Sequence, residues 1–331
     1  MRLAASLIMA GLDGFQLDEV TEKLVKHFGI RAFILFKRNV VDQEQLHRLI
    51  ADLKALIIEA GLTPLIAVDQ EGGPVRRLEP PGFSDIPGNS ETGSELVPET
   101  AVAQQARKTA TLLAPLGINI NFAPVLDLAL SASRGVLKGR CFGADPAKVS
   151  RLGKIYIEEL QASGVAAVAK HFPGIGRVEI DPHHHRPVVD ADRDIVMDEM
   201  VPFRTAVSAG VAGIMTSHVV FNRLDPALPV TFSPFVAKDL LRNQLGFQGV
   251  LFSDDMEMGG ITGKDHPATA AVAALHAGHD MVLICSDQKL AMETVTSIAM
   301  ALEQGELAVQ ALETSFDRIE ELAARFSGSP C

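Results

Sequence analysis

The sequence predicts an α/β protein built as a single (β/α)8 TIM barrel over residues 1–331, with long loops on the C-terminal face of the barrel. Three observations lead to this prediction: a glycine recurs along the chain, an apolar run follows each of these glycines, and the chain length fits one such domain. A (β/α)8 barrel takes about 250 residues, and more when its loops are long. This chain has 331 residues, and 47% of them are hydrophobic.

The recurring glycine marks the end of a helix. Glycine is favoured just past a helix because it adopts the left-handed backbone conformation without a steric penalty. Seven glycines follow helix-like segments: Gly29, Gly61, Gly117, Gly164, Gly210, Gly246 and Gly278. We therefore expect a helix to end, and the chain to turn towards a strand, at each of these positions.

A short apolar run without polar alternation follows each of these glycines. Such runs are typical of parallel strands that are buried on both faces. The seven runs are AFILF, PLIAV, ININ, AAVA, AGIM, VLF and MVLIC. A further strand near Ala4 to Ala10, predicted from the apolar start of the chain, brings the number to eight. Eight alternating units favour a closed barrel over an open doubly wound sheet.

Two helix starts are marked by a capping residue followed by proline, which suits the first helical position. Asp145-Pro146 predicts a helix over 147–160, and Ser233-Pro234 predicts one over 235–245. The last helix is predicted over 306–326.

The surplus residues lie after predicted strands, in segments 70–98, 123–143 and 172–192. In a barrel these loops form the C-terminal face, where active sites lie. Because burying charge without partners is costly, charged side chains at several strand ends predict an active site at the barrel mouth. These side chains are Lys37, Arg38, Asp69, Glu71, Asp127, Lys170, His171, His218, Asp254 and Asp255.

The composition excludes several classes of function. The net charge of -11 argues against nucleic acid as a partner, since phosphate binding needs clustered Lys and Arg. The two longest uncharged stretches, 109–126 and 205–222, are interrupted by polar residues, Pro or Gly, so we expect no membrane association. Three scattered cysteines favour a reducing, cytoplasmic location. Phosphate-binding glycine motifs and HExxH are absent, so we expect no cofactor and no metal.

The polar groups at the strand ends suit a sugar, whose hydroxyls form several hydrogen bonds with carboxylates, Lys, Arg and His. The chain has no Trp and one Tyr, so aromatic platforms for a long polysaccharide are scarce. These features favour a pocket for one terminal sugar, and the expected partner is a small soluble glycan.

Seven segments carry a family resemblance and run in the family's order from Ile34 to Leu283: ILFKRN, AVDQEGG, NFAPVLDL, KHFPGIG, IMTSHV, LGFQGVLFSDDMEM and ALHAGHDMVL. They resemble glycoside hydrolase family three, and within it the single-domain bacterial β-N-acetylglucosaminidases of cell-wall recycling. Three positions depart from the family pattern. Ile175 stands where the family has histidine, Pro182 where it has serine, and Pro74 where an arginine often follows EGG.

The resemblance implies specific catalytic residues. Asp254 matches the nucleophile, His183 the general acid/base, and Asp181 the carboxylate that supports His183. The residues themselves leave two alternatives open. Asp255 competes with Asp254, because successive side chains of a strand point to opposite faces. The run from His183 to His185 also fits a solvated loop or a metal site, although neighbouring residues rarely bind one metal.

The resemblance also implies substrate-binding residues, namely Asp69, Arg77, Arg140, Lys170 and His171. The activity it implies is that of a retaining exo-β-N-acetylhexosaminidase. Such an enzyme releases terminal N-acetylglucosamine from soluble peptidoglycan fragments (muropeptides) by double displacement through a covalent glycosyl-enzyme. The alternatives are a family relative that cleaves β-glucosides or β-xylosides, and a catalytically inactive sugar-binding barrel.

Overall fold

The computed structural model describes residues 1–130, 135–178, 187–259 and 266–327. Eight parallel strands form a closed barrel: β1 (Ile8–Gly11), β2 (Ala32–Leu35), β3 (Leu65–Val68), β4 (Ile120–Asn121), β5 (Ala166–Phe172), β7 (Gly213–Thr216), β10 (Val250–Asp255) and β11 (Met281–Ile284). Their order around the barrel is β1-β11-β10-β7-β5-β4-β3-β2. The predicted (β/α)8 fold is therefore confirmed.

A second, small sheet lies in the loops that follow β5 and β7. Its strands are β6 (Val188–Val189), β8 (Val220–Phe221) and β9 (Asp225–Pro229), in the order β6-β8-β9. β6 pairs with β8 in parallel, and β8 pairs with β9 antiparallel. This sheet ties the end of the long loop after β5 to the loop after β7.

Helices surround the barrel and fill its long loops. The α-helices are Arg2–Ser6, Glu19–Lys23, Gln43–Glu59, Asn89–Gly93, Pro98–Leu113, Pro146–Ala162, Arg193–Glu199, Val201–Ser208, Pro267–Ala277, Gln288–Glu303 and Val309–Phe326. Leu24–Phe28 and Phe235–Gln244 are π-helical, and Lys37–Asn39, Ala114–Leu116 and Val230–Phe232 are 3-10 turns. Within the described ranges, no helix is both long enough and apolar enough to cross a membrane.

Both predicted helix starts are present. The Asp145 carboxylate accepts the Ala147 N–H at 3.1 Å, and the Ser233 hydroxyl accepts the Val236 N–H at 3.3 Å. The helix after Ser233 is π-helical, and the last helix begins at Val309, three residues later than predicted.

The seven predicted glycine caps are confirmed. Each of these glycines has a positive φ, between 69° at Gly210 and 120° at Gly278. This is the backbone region that a residue with a Cβ rarely adopts, so glycine at these positions ends each helix and redirects the chain towards the next strand.

The prediction of the first strand is wrong at its beginning. Arg2–Ser6 is a helix, and β1 begins only at Ile8. Ala4 and Ala5 are fully buried, and alanine has the highest intrinsic helix propensity. A short apolar run does not distinguish a buried helix from a buried strand, because the two differ in periodicity only over longer segments.

Candidate active site

The charged strand ends meet at the carboxyl end of the barrel. Asp69 directly follows β3, Lys170 and His171 lie near the end of β5, and Asp254 lies near the end of β10. Because all eight barrel strands are parallel, these positions share one mouth. The fold therefore brings together side chains that are far apart in the sequence.

Five charged side chains at this mouth form a continuous ion-pair network, called here the mouth network: Asp69, Glu71, Arg77, Arg140 and Lys170. The Lys170 ammonium bridges the two carboxylates, with Nζ 2.8 Å from Oδ1 of Asp69 and 2.7 Å from Oε1 of Glu71. Arg140 forms a bidentate salt bridge with Glu71, in which Nε donates to Oε2 and Nη2 donates to Oε1, both at 2.8 Å. Arg77 Nη2 lies 3.0 Å from Oδ2 of Asp69. Four of the five predicted substrate-binding residues thus belong to one cluster.

The mouth network fixes the charges of its members. Burial raises the pKa of Asp69, but the neighbouring Lys170 and Arg77 outweigh burial and lower this pKa to about 2. Burial also raises the pKa of Glu71, and Lys170 and Arg140 again reverse the shift, so that the Glu71 pKa is lowered. The pKa of Lys170 is raised by both carboxylates against the effect of burial. At neutral pH the network therefore presents three cations and two carboxylates.

Glu71 is the member of the network that is not among the predicted substrate-binding residues. Its side chain is only 1% exposed and is engaged by both Lys170 and Arg140. A charged residue within the buried AVDQEGG segment is the signal that points to it, because a buried carboxylate needs cationic partners. Glu71 therefore holds both Lys170 and Arg140 in place.

His171, the fifth predicted substrate-binding residue, pairs with a second carboxylate. Its Nδ1 lies 2.7 Å from Oδ2 of Asp127, whose side chain is fully buried. Asp127 also lies 2.8 Å from the backbone nitrogen of Ile175. The His171 ring is therefore held by Asp127, which lies in the loop that follows β4.

The two carboxylates at the end of β10 have different surroundings. Asp255 Oδ1 accepts the N–H of Glu257 at 3.1 Å and that of Cys285 at 3.4 Å, so this carboxylate is directed to the rim between β10 and β11. Burial, with contributions from Glu257 and Asp254, raises the Asp255 pKa to about 6. The partly exposed Asp254 accepts the N–H of Asp255 on Oδ1 at 2.8 Å. The pairing of β10 with β11 shifts register between Phe252 and Asp255, where both carboxylates lie.

His218 links the loop after β7 to this end of β10. Its Nε2 lies 2.9 Å from the carbonyl oxygen of Asp255, and its Nδ1 lies 2.6 Å from the Thr231 hydroxyl. Burial lowers the His218 pKa, although the nearby Asp254 carboxylate acts in the opposite direction. His218 thus holds the backbone at Asp255, next to Asp254, by a hydrogen bond.

Two predicted catalytic residues, Asp181 and His183, lie outside the described residues, as does Pro182. On the N-terminal side of this segment, Arg177 forms a salt bridge with Glu199 through two of its nitrogens, with Nε–Oε1 at 2.8 Å and Nη2–Oε1 at 2.7 Å.

Residues 1–130, 135–178, 187–259 and 266–327 contain no group of three or more His, Cys, Asp or Glu side chains arranged to hold a metal ion.

Ile175, which replaces the histidine of the family pattern, packs against a small apolar cluster of Val125, Leu137 and Cys141. Its backbone N–H still donates to Asp127 at 2.8 Å. The apolar surroundings explain why isoleucine is accommodated here, because an imidazole in this cluster would need a hydrogen-bond partner.

Comparisons with known proteins place the chain in a family and support its fold. Residues 4–322 match the family described as the glycosyl hydrolase family 3 N-terminal domain. A β-hexosaminidase of Nitrosospira multiformis is 37% identical over 292 residues, which cover 86% of this chain and 81% of that protein. The structure of a glycoside hydrolase family 3 β-N-acetylglucosaminidase from a Paenibacillus species has a TM-score of 0.94 at 33% identity. The comparison covers 100% of this chain but only 64% of the Paenibacillus chain, which is less than two thirds. A β-N-acetylhexosaminidase from Beutenbergia cavernae has a TM-score of 0.89 at 32% identity, and 98% of each chain is covered.

Proposed function

The chain belongs to glycosyl hydrolase family 3, a family of glycoside hydrolases, and we propose that it is a retaining exo-β-N-acetylhexosaminidase whose catalytic domain spans residues 1–331. It releases terminal N-acetylglucosamine from soluble peptidoglycan fragments in the cytoplasm, as part of cell-wall recycling. The observation that most supports the proposal is the mouth network. Four side chains to which the family resemblance assigns substrate binding form one ion-paired cluster at the barrel end where Asp254 also lies.

In the first step, the Asp254 carboxylate attacks the anomeric carbon, and the bond to the leaving oxygen breaks. Asp254 is suited to this role because it lies on a strand and its rival Asp255 is turned to the backbone of Glu257 and Cys285. His183 donates a proton to the leaving oxygen, and Asp181 orients the ring and stabilises its protonated form.

In the second step, His183 takes a proton from water, and the resulting hydroxide displaces Asp254 from the sugar. Asp69, Arg77, Arg140, Lys170 and His171 hold the terminal sugar during both steps. Asp69 accepts hydrogen bonds from sugar hydroxyls, because its lowered pKa keeps it ionised.

A panel of aryl β-glycosides tests this proposal on the purified protein. We expect turnover of the N-acetylglucosaminide to exceed that of the glucoside and the xyloside, and NMR of the first product to show the β-anomer. Faster cleavage of the glucoside or the xyloside assigns the chain to the alternative specificity. Sugar binding without turnover of any glycoside means that the barrel is catalytically inactive. Release of N-acetylglucosamine from purified muropeptides, followed by mass spectrometry, tests the natural substrate.

A further inference from the structure

Asp127 is a buried carboxylate to which the proposed reaction gives no role. Its side chain is 0% exposed, and among the residues that the structure describes each neighbour within hydrogen-bond distance is a nitrogen. Oδ2 lies 2.7 Å from Nδ1 of His171 and 3.2 Å from the backbone nitrogen of His171. Oδ1 lies 2.8 Å from the backbone nitrogen of Ile175 and 3.4 Å from that of His171.

These contacts determine which ring nitrogen of His171 carries the hydrogen. An ionised carboxylate only accepts hydrogen bonds, so Nδ1 of His171 must be the donor at 2.7 Å. In a neutral imidazole the other nitrogen, Nε2, is then an acceptor. His171 lies at the end of β5 beside Lys170, where its ring is 9% exposed.

We propose that Asp127 is a positioning residue that fixes His171 as the Nδ1–H tautomer, so that Nε2 accepts a hydrogen bond from a hydroxyl of the bound sugar. The assignment of a sugar hydroxyl as the ligand rests on the proposed function. The tautomer itself rests only on the contacts of Asp127.

The substitution Asp127→Asn is expected to invert this tautomer. The asparagine oxygen has to face the backbone N–H groups, since these cannot change from donor to acceptor. At the Oδ1 position it reaches both of them, at 2.8 Å from Ile175 and 3.4 Å from His171. The amide NH2 then lies at the Oδ2 position and donates to Nδ1, which moves the ring hydrogen to Nε2. The 3.2 Å contact between Oδ2 and the His171 backbone N–H is lost in this variant, because both groups are then donors.

Two-bond ¹H–¹⁵N NMR of the imidazole rings tests the tautomer without any substrate, with His171→Gln used to assign the signals. At about pH 8.5, two units above the ordinary histidine pKa of about 6.5, we expect Nδ1–H in the wild type and Nε2–H in Asp127→Asn. An Nε2–H ring in the wild type, or a ring protonated on both nitrogens, overturns the proposal. The wild-type spectrum decides even if the variant does not fold. Asp145→Asn, which makes the same change at an exposed helix N-cap, should leave the His171 signals unchanged.

Deoxyfluoro analogues of an aryl N-acetylglucosaminide, with fluorine at position 3, 4 or 6, test the hydrogen bond itself, because fluorine does not donate. At the contacted position, fluorine should lower the wild-type kcat/KM by about tenfold, the effect of one lost hydrogen bond. In Asp127→Asn, the loss of kcat/KM caused by the same fluorine should be at least about threefold smaller. The reason is that Nε2 of His171 then carries a hydrogen and no longer accepts a hydrogen bond from the sugar hydroxyl. The inductive effect of fluorine acts on both proteins and cancels in the comparison. An equal penalty in both proteins at every position contradicts the acceptor role of Nε2. Failure of the proposed function appears instead as no turnover of any analogue, with the NMR result intact.

Discussion

The Lys170 ammonium lies 2.8 Å from Oδ1 of Asp69, although 101 positions separate the two residues in the sequence. The same ammonium lies 2.7 Å from Glu71, and its side chain is only 3% exposed. A buried cation between two carboxylates holds both of them in a fixed geometry. Lys170 is therefore the centre of the mouth network, and its loss should affect the grip on the terminal sugar.

We expect Lys170→Met to lower kcat/KM for the aryl N-acetylglucosaminide by at least roughly tenfold, about 1.4 kcal/mol of transition-state interaction. The matched control is Lys154→Met, because Lys154 is half exposed and pairs with Glu158 on the surface of the same helix. Circular dichroism should show the wild-type fold for both variants. An unchanged kcat/KM in Lys170→Met would reduce Lys170 to a structural ion-pair partner.

Asp254→Ala should fold normally and lose nearly all turnover. Covalent catalysis divides a difficult displacement into two easier steps, and both need this carboxylate. Steady-state rates measure the loss of turnover. Mass spectrometry of the enzyme trapped by a 2-deoxy-2-fluoro glycoside locates the covalent bond. Substantial residual activity in a folded protein, or a label on Asp255, would move the nucleophile to the neighbouring residue.

The raised pKa of Asp255 predicts that the free energy of unfolding depends on pH. Its pKa is about 6 in the folded protein against an ordinary value of 3.8, so the folded state binds this proton more tightly than the unfolded state. The resulting stabilisation is fully present below the unfolded pKa and is lost as the pH rises through about 6. Asp255→Asn cannot titrate, so its stability relative to the wild type should increase between about pH 4 and 6 and then level off.

Urea denaturation across this pH range measures the difference in the free energy of unfolding between Asp255→Asn and the wild type. Asp42→Asn makes the same chemical change at an exposed helix N-cap and provides the control. A difference for Asp255→Asn that stays constant with pH would show that Asp255 does not titrate in this window.

The factor by which His183→Ala slows hydrolysis should depend on the leaving group of the substrate. A sugar alkoxide needs protonation to depart, whereas a dinitrophenolate is stable as an anion. General acid catalysis is worth about 10² to 10⁴-fold, so the variant should lose far more activity on a disaccharide than on a dinitrophenyl glycoside. Azide needs no general base and should speed breakdown of the glycosyl-enzyme in the variant.

His184→Ala provides the matched control for this prediction, since it removes an adjacent histidine. Asp181→Asn should reproduce part of the His183→Ala pattern, because it loosens the ring and weakens its protonated form. Equal losses on both substrates, with no effect of azide, would make His183 a loop-positioning residue. Glu71 would then be a poor replacement as the acid, because Lys170 and Arg140 lower its pKa.

The sequence predicted the parts of the fold that depend on local chemistry. Helix ends follow from the left-handed backbone that glycine permits, and all seven predicted caps have positive φ. The start of the chain was mispredicted because Ala4 and Ala5 fit a buried helix and a buried strand equally well over so short a run. The strand ends also identified Asp69, Glu71 and Lys170 of the mouth network, since charges beside buried strands need partners. Arg77 and Arg140 lie in loops and were predicted only from the family resemblance.

The residues alone were therefore sufficient to predict the barrel, the family and several charged side chains at the barrel mouth. How these side chains pair became evident from the folded chain: Lys170 lies between Asp69 and Glu71, Arg140 pairs with Glu71, and Asp127 pairs with His171. The fold also turns Asp255 to the backbone of the barrel rim. Spacing along the chain does not encode these contacts, because they form only when parallel strands close into a barrel and the loops after them fold over one mouth.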